Sequence, residues 1–189
     1  IDREFFYKDS SKLIEERTFT SSGDINTTSK YYYNDKSQLF KKEYIQFGQV
    51  YATWTFEYDE KGHKVSETKT SGTMGNSVTK YKYDDKSFLI QEDKTNNTIG
   101  KEERINYKYN DKGQVIEKKT KAYYFNTIIT LTYSYNDAGK LTKLFEKSSN
   151  GVSATTLYEY NDKGLLISDT WESSISKTPQ KTTYQISFE

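Results

Sequence analysis

Tyr107-Lys108-Tyr109-Asn110-Asp111-Lys112-Gly113-Gln114-Val115 is the stretch that decides the fold, because it spells one half of a β-hairpin and its turn. Alternate residues of a strand share a face, so Tyr107 and Tyr109 present two rings on one side. Asn-Asp-Lys-Gly suits a type I turn followed by glycine in the left-handed region, the three-residue hairpin connection with a bulge. Val115 then opens the returning strand.

The pattern recurs in register along the whole chain. With the second aromatic as anchor, copies fall at Tyr7, Tyr33, Tyr58, Tyr83, Tyr109, Tyr135 and Tyr160, spaced 25 or 26 residues apart. Two positions earlier stand Phe5, Tyr31, Phe56, Tyr81, Tyr107, Tyr133 and Tyr158, so these two columns take 12 of the 18 tyrosines. Each turn has an acid second, Asp9, Asp35, Glu60, Asp85, Asp111, Asp137 or Asp162. Its fourth residue is Gly62, Gly113, Gly139 or Gly164, with Ser11, Ser37 and Ser87 elsewhere, where a left-handed conformation costs modest strain. Six residues past the anchor come Leu13, Leu39, Leu89, Val115, Leu141 and Leu166, with Lys64 as the exception. This column is expected opposite the anchor tyrosine and on its face. The next column, Ile14, Phe40, Val65, Ile90, Ile116, Thr142 and Ile167, is expected to face the other way.

A 25-residue period marks an array whose unit buries its apolar face only against its neighbours. The fold class is therefore all-β: an antiparallel β-hairpin repeat array of seven units and about 14 strands, open or curled, with no helical period of apolar residues. Residues 1–189 read as a single array. Tyr184 and Ile186 match only the opening half of an eighth unit, so 177–189 is expected to be a terminal cap strand.

Only 33% of residues are hydrophobic, 29% are charged, and the mean hydropathy is −0.97, too polar for a sandwich with a thick aliphatic core. An aromatic content of 16% at strict alternation argues against disorder, the rival reading of so polar a chain. A net charge of +1 gives no field to draw nucleic acid or an anionic membrane. Lys80-Tyr81-Lys82-Tyr83 superficially resembles a basic stacking platform, but matching acids in every copy point to cross-strand charge pairing. Cysteine is absent, and His63, the one histidine, sits beside Gly62 in a turn, which supports neither a metal site nor a triad. Turn carboxylates on neighbouring hairpins stand about two strand spacings of ~4.8 Å apart, too far to share a calcium ion. No catalytic residue, metal ligand or cofactor is expected. No apolar stretch reaches transmembrane length, and no continuous lipid-facing band suits a transmembrane barrel. The chain begins at Ile1 rather than methionine, so a trimmed start and a removed export signal are expected.

The segments Tyr107 to Val115 and Tyr158 to Leu166 resemble the YD repeat of the RHS and teneurin-like family, and in looser form the resemblance covers nearly the whole chain. The sequence departs from that pattern in lacking the flanking arginine and glycine and in placing Lys64 at an apolar position. The resemblance implies repeats coiled as a β-hairpin spiral in bacterial surface, secreted or toxin proteins, some of them proposed to bind carbohydrate. It places the chain outside the cytoplasm, at the cell surface, in the periplasm or secreted.

The first functional reading is a non-enzymatic binding module for a glycan or another surface protein. The alternative is a shell or spacer segment of a larger RHS-like toxin or surface protein. A sugar face stacks on an exposed flat ring. The regular tyrosines are better explained as the packed columns of the array. Candidate ligand residues are therefore the aromatics outside the two columns: Phe47, Tyr51 and Trp54, then Tyr123, Tyr124 and Phe125, and Trp171.

Overall fold

A computed structural model describes residues 2–9, 11–72, 75–176 and 178–185. Alternating aromatics separated by Asn/Asp-rich turns form β1 (Arg3–Lys8), β2 (Lys12–Phe19), β3 (Ile25–Tyr33), β4 (Leu39–Gln46), β5 (Gln49–Tyr58), β6 (Lys64–Ser71) and β7 (Ser77–Tyr83). The same grammar continues in β8 (Leu89–Asn96), β9 (Gly100–Tyr109), β10 (Val115–Ala122), β11 (Thr127–Tyr135), β12 (Leu141–Ser148), β13 (Ser153–Tyr160) and β14 (Leu166–Ser173). The chain closes with β15 (Gln180–Thr183). These make one sheet in strict sequence order, open because β1 and β15 do not pair with each other. Fifteen strands rather than fourteen result because the expected terminal strand forms, pairing Gln180 with Trp171 and Thr183 with Ser168. Lys177 and Ile186 of the expected cap lie outside the described residues. By internal contact the chain divides into two compact units, Ile1–Lys82 with Asp93–Lys101, and Tyr83–Glu92 with Glu102–Glu189.

The turns follow the expected chemistry. Ser37 N donates to Asn34 O at 2.9 Å and Asn34 N to Gln38 O at 2.9 Å, and the set recurs at Asn110, Asn136 and Asn161. Gly113 has φ +77°, and the serine copies accept the same strain, with Ser37 at +64° and Ser87 at +68°. In the first copy Asp9 takes a positive φ, +53°. Asn34, Asp84 and Asn110 each accept from the backbone N–H four residues on, closing the turn with a side chain.

Leucine opposes the anchor as expected, with Tyr33 paired to Leu39 and Tyr135 to Leu141. The column after it departs from expectation. Tyr32 pairs with Lys41, so Phe40 is the extra residue of a bulge, and the equivalent residue is skipped at Val65, Ile116, Thr142 and Ile167 as well. The expectation that this column faces away assumed unbroken alternation, which a bulge suspends. Phe40 borders a hollow with Phe56 and Tyr58 of the next hairpin, and Ile90 borders another with Tyr107 and Tyr109.

Burial is shallow throughout. Ala52, 4% exposed, is the single buried hydrophobic residue among those described, and no large side chain is fully enclosed. A single sheet of this kind has no second layer to bury against. Cohesion must come from contacts between successive hairpins.

Candidate functional site

The anchor tyrosines supply that cohesion. Tyr33 donates its hydroxyl to the carbonyl oxygen of Leu13 in the preceding hairpin, at 3.0 Å. Tyr58 reaches Leu39 O at 2.8 Å, Tyr109 reaches Leu89 O at 2.7 Å, Tyr135 reaches Val115 O at 2.8 Å and Tyr160 reaches Leu141 O at 2.8 Å. Leu13, Leu39, Val115 and Leu141 each lie at the edge of a bulge, where the ladder register slips. The ring covers the neighbour and the hydroxyl satisfies a backbone group.

The other aromatic column makes a second tie, to an acid nine residues past the preceding anchor. Tyr107 donates to Glu92 at 2.6 Å, Tyr81 to Glu67 at 3.2 Å, Tyr31 to Glu16 at 3.4 Å and Tyr184 to Asp169 at 2.5 Å. Burial, reinforced by the bond to Glu92, holds the Tyr107 phenol well above the ordinary tyrosine range. Burial also raises Tyr33, Tyr109 and Tyr133. Lys64, which breaks the leucine column, lies over the rings of Phe56 (5.5 Å) and Tyr81 (4.5 Å) and bonds Glu67 at 2.8 Å. It replaces apolar packing with cation–π contact.

A third tie crosses the tight turns. The side chain five residues past one anchor reaches the next hairpin's turn: Lys12 Nζ to Ser37 Oγ at 2.7 Å, Gln114 Nε2 to Gly139 O at 2.8 Å, and Lys140 Nζ to Gly164 O. Phe88 instead stacks on Tyr109, centroids 4.8 Å apart, and lies so close to Gly113 that a Cβ there would stand 2.8 Å from the ring. Turn glycine thus answers two demands, positive φ and close approach. Cross-strand charge pairing occurs too, with Lys108 bonding the directly opposed Glu117 at 2.9 Å.

The candidate ligand residues sort by environment. Phe47 is 85% exposed at the tip of the two-residue β4–β5 turn, with φ +50°. Tyr51 is a bulge residue, edge-on to Tyr44 at 6.2 Å. Trp54 lies two residues before Phe56, on the same face, with Lys42 (5.5 Å) and Lys69 (5.2 Å) over its ring. It extends the aromatic face by one row rather than breaking it. In the second unit Tyr124 (77% exposed) and Phe125 (74%) form an edge-to-face pair at 5.0 Å on the β10–β11 turn. Tyr123, next to them, is half-buried beneath Lys121 at 4.7 Å. Trp171 is half-buried mid-strand between Thr156 and Gln180. The free rings are thus the turn tips Phe47, Tyr124 and Phe125. Among the described residues no group of His, Cys, Asp and Glu could hold a metal ion. No helix is long and apolar enough to cross a membrane.

Sequence reasoning missed the carboxylates Glu16, Glu67, Glu92 and Asp169 and the turn-crossing residues Lys12, Phe88, Gln114 and Lys140. The signal for the first set was present, as an acid nine residues past the preceding anchor.

No family model matches the chain, and no curated protein matches it. Solved structures do. A Tc holotoxin pore of Photorhabdus luminescens carrying a TccC3 mutation superposes on 96% of this chain with a TM-score of 0.66 at 16% identity, over 9% of its own length. A TcdB2–TccC3 structure lacking its hypervariable C-terminal region gives 0.65 at 16% identity, covering 96% of this chain and 11% of that one. A porin-like protein from Bacteroides uniformis gives 0.52 at 14% identity, covering 95% and 86%. This chain spans about a tenth of the toxin chains it matches, and the likeness is one of fold.

Proposed function

We propose that this chain is a non-enzymatic structural segment, a short length of shell or spacer wall in a larger surface or toxin-like protein outside the cytoplasm. The observation that carries the reading is the repeated tie from five anchor tyrosines, Tyr33, Tyr58, Tyr109, Tyr135 and Tyr160, to the preceding hairpin's backbone. It spends the chain's most abundant aromatic side chain on joining repeats. The fold likeness to toxin chains roughly ten times as extensive supports a segment that takes its role from a larger whole. The test is retention on polysaccharides in affinity electrophoresis across a broad panel. A structural segment migrates unretarded on all of them, and specific retention overturns the reading.

A second reading, a binding module for a glycan, is favoured by the exposed rings of Phe47, Tyr124 and Phe125. Each such contact is weak, about 0.5 to 1.5 kcal/mol in protein ring pairs, so several sites would have to act together. Retention that is lost in Phe47→Ala and Tyr124→Ala, with an unchanged circular dichroism spectrum, supports this reading.

A further inference from the structure

The face of the sheet turned away from the aromatic columns carries charge pairs, and β12 breaks their pattern. Residues directly opposed across strands share a face. On this face of the first unit Lys41 and Glu43, two residues apart on β4, bond at 2.6 Å, and Arg17 and Glu15 on β2 bond at 2.5 Å. Each cation of those two strands thus has a carboxylate beside it. Counted from the leucine that opens the returning strand, Lys143 of β12 stands where Lys41 stands on β4. The place of Glu43 is taken by Phe145, and that of Ile45 by Lys147. Lys143 Nζ lies 5.9 Å from the centre of the Phe145 ring, and neither lysine forms an ion pair among the described residues.

The acids of this face on β10–β14 do not answer the two lysines. Glu117 is held by Lys108 at 2.9 Å, and Glu159 by Ser168 and Lys181. Glu172 lies beyond Thr155, two strands from Phe145. Lys119 adds a further cation, since it and Lys147 oppose Thr130 from its two sides. Diagonal to Phe145 stands Leu157, 42% exposed and directly opposite Lys143. Thr132 and Thr155 flank Phe145, and Ser134 flanks Lys143. An apolar middle with a polar rim is the form of a protein-binding surface, and lysines in the rim select an acidic partner. Leu157 offers no flat ring to a sugar. Hydroxyls that both donate and accept suit a peptide backbone, which carries a donor and an acceptor at every residue but proline.

We infer that this face of β12 binds an extended acidic polypeptide segment with the pattern acid-x-apolar-x-acid. The spacing is that of the strand itself. Lys143, Phe145 and Lys147 follow one another at two-residue steps, about 6.8 Å each at ~3.4 Å per residue, and an extended chain laid along β12 returns to one side at the same step. Its acids then meet the two ammoniums, and its apolar side chain settles on Phe145 and Leu157. The pattern reads alike from either end, so both chain directions fit. This inference stands on the second unit alone, independently of the wall reading.

The experiment uses the whole chain and two fluorescein-labelled peptides of one composition, Thr-Glu-Thr-Leu-Thr-Glu-Thr and Thr-Glu-Glu-Thr-Leu-Thr-Thr, titrated by fluorescence anisotropy. The first should bind at least about fivefold more tightly, since only its acids fall in step with the lysines, and binding should weaken as salt rises. Lys143→Gln with Lys147→Gln should lose about tenfold of that affinity, two exposed charge pairs being removed. Phe145→Glu, which restores the arrangement of Lys41 and Glu43, should lose about as much, because each lysine then has a carboxylate beside it. Both variants should keep the circular dichroism spectrum unchanged. Equal binding of the two peptides, no binding of either, an affinity unaltered in either variant, or tighter binding of single-stranded DNA than of the first peptide would each overturn the inference.

Discussion

Tyr109→Phe deletes a single oxygen and isolates what the hydroxyl tie contributes. The ring stays, and with it the stack on Phe88 at 4.8 Å, so the loss is confined to the 2.7 Å bond to Leu89 O. A neutral hydrogen bond contributes about 0.5–1.5 kcal/mol net, and the half-buried carbonyl left without its donor adds to the cost. The expected destabilisation is about 1–2 kcal/mol. For a chain of this length that lowers the unfolding midpoint by roughly 2–4 °C per kcal/mol. Thermal unfolding followed by circular dichroism reads it directly, with Tyr124→Phe as control because that ring is 77% exposed at a turn tip. The control should shift by less than about 0.5 kcal/mol. If the two variants unfold at the same temperature, the tyrosine tie does not hold the array together.

Four further outcomes follow from the same contacts. Burial raises the folded-state pKa of Tyr33, Tyr107, Tyr109 and Tyr133 above the unfolded value near 10, so their contribution is complete below about pH 10 and is lost as pH climbs through the folded values. Alkaline unfolding should be steep, and Tyr107→Phe should make it shallower in a pH series of denaturation midpoints. Gly113→Ala should cost at least about 1–2 kcal/mol, combining φ +77° with a Cβ placed 2.8 Å from Phe88, whereas Gly48→Asn, strained by its φ of +73° but with nothing within 4 Å, should cost less in urea denaturation. Phe47→Asn should raise stability by a few tenths of a kcal/mol in the same assay, because a two-residue turn of positive φ favours Asn-Gly and Phe47 has little packing to lose. Deleting residues 177–189 removes β15 and bares the β14 edge, so the midpoint should fall or light scattering reveal aggregation.

The hairpin, its turn and the pairing of leucine with tyrosine were legible because each rests on local rules: period-two alternation, turn chemistry and a fixed offset. The bulge was not, since Phe40 or Ile116 in a strand looks like any other residue, and the slip shows only in the register with the partner strand. The place of Trp54 was legible too. Alternation from Phe56 already assigns it to the aromatic face, one row further along. The inter-repeat ties needed knowledge of which residue meets which across neighbouring hairpins. For Glu92 and Tyr107 the spacing alone held that information. For Phe88 and Gly113 the contact depends on how turns overlap, and the sequence offered only a glycine already explained by its φ.

Tyrosine is the side chain that this single sheet requires. A leucine on a surface that stays half-exposed would gain little from burial and would leave the carbonyl at each bulge edge without a donor. A tyrosine buries its ring against the next hairpin and extends its hydroxyl to that carbonyl, so partial exposure and backbone satisfaction are met by one residue. The same logic accounts for Lys64, whose stem and ammonium cover Phe56 and Tyr81 while Glu67 takes the charge. Because these ties join each hairpin to the one before it, stability is a sum of unit and nearest-neighbour contributions. Loss of one tyrosine should therefore weaken the array at one joint and leave distant hairpins with their own contacts intact, the behaviour expected of a wall built from repeating courses.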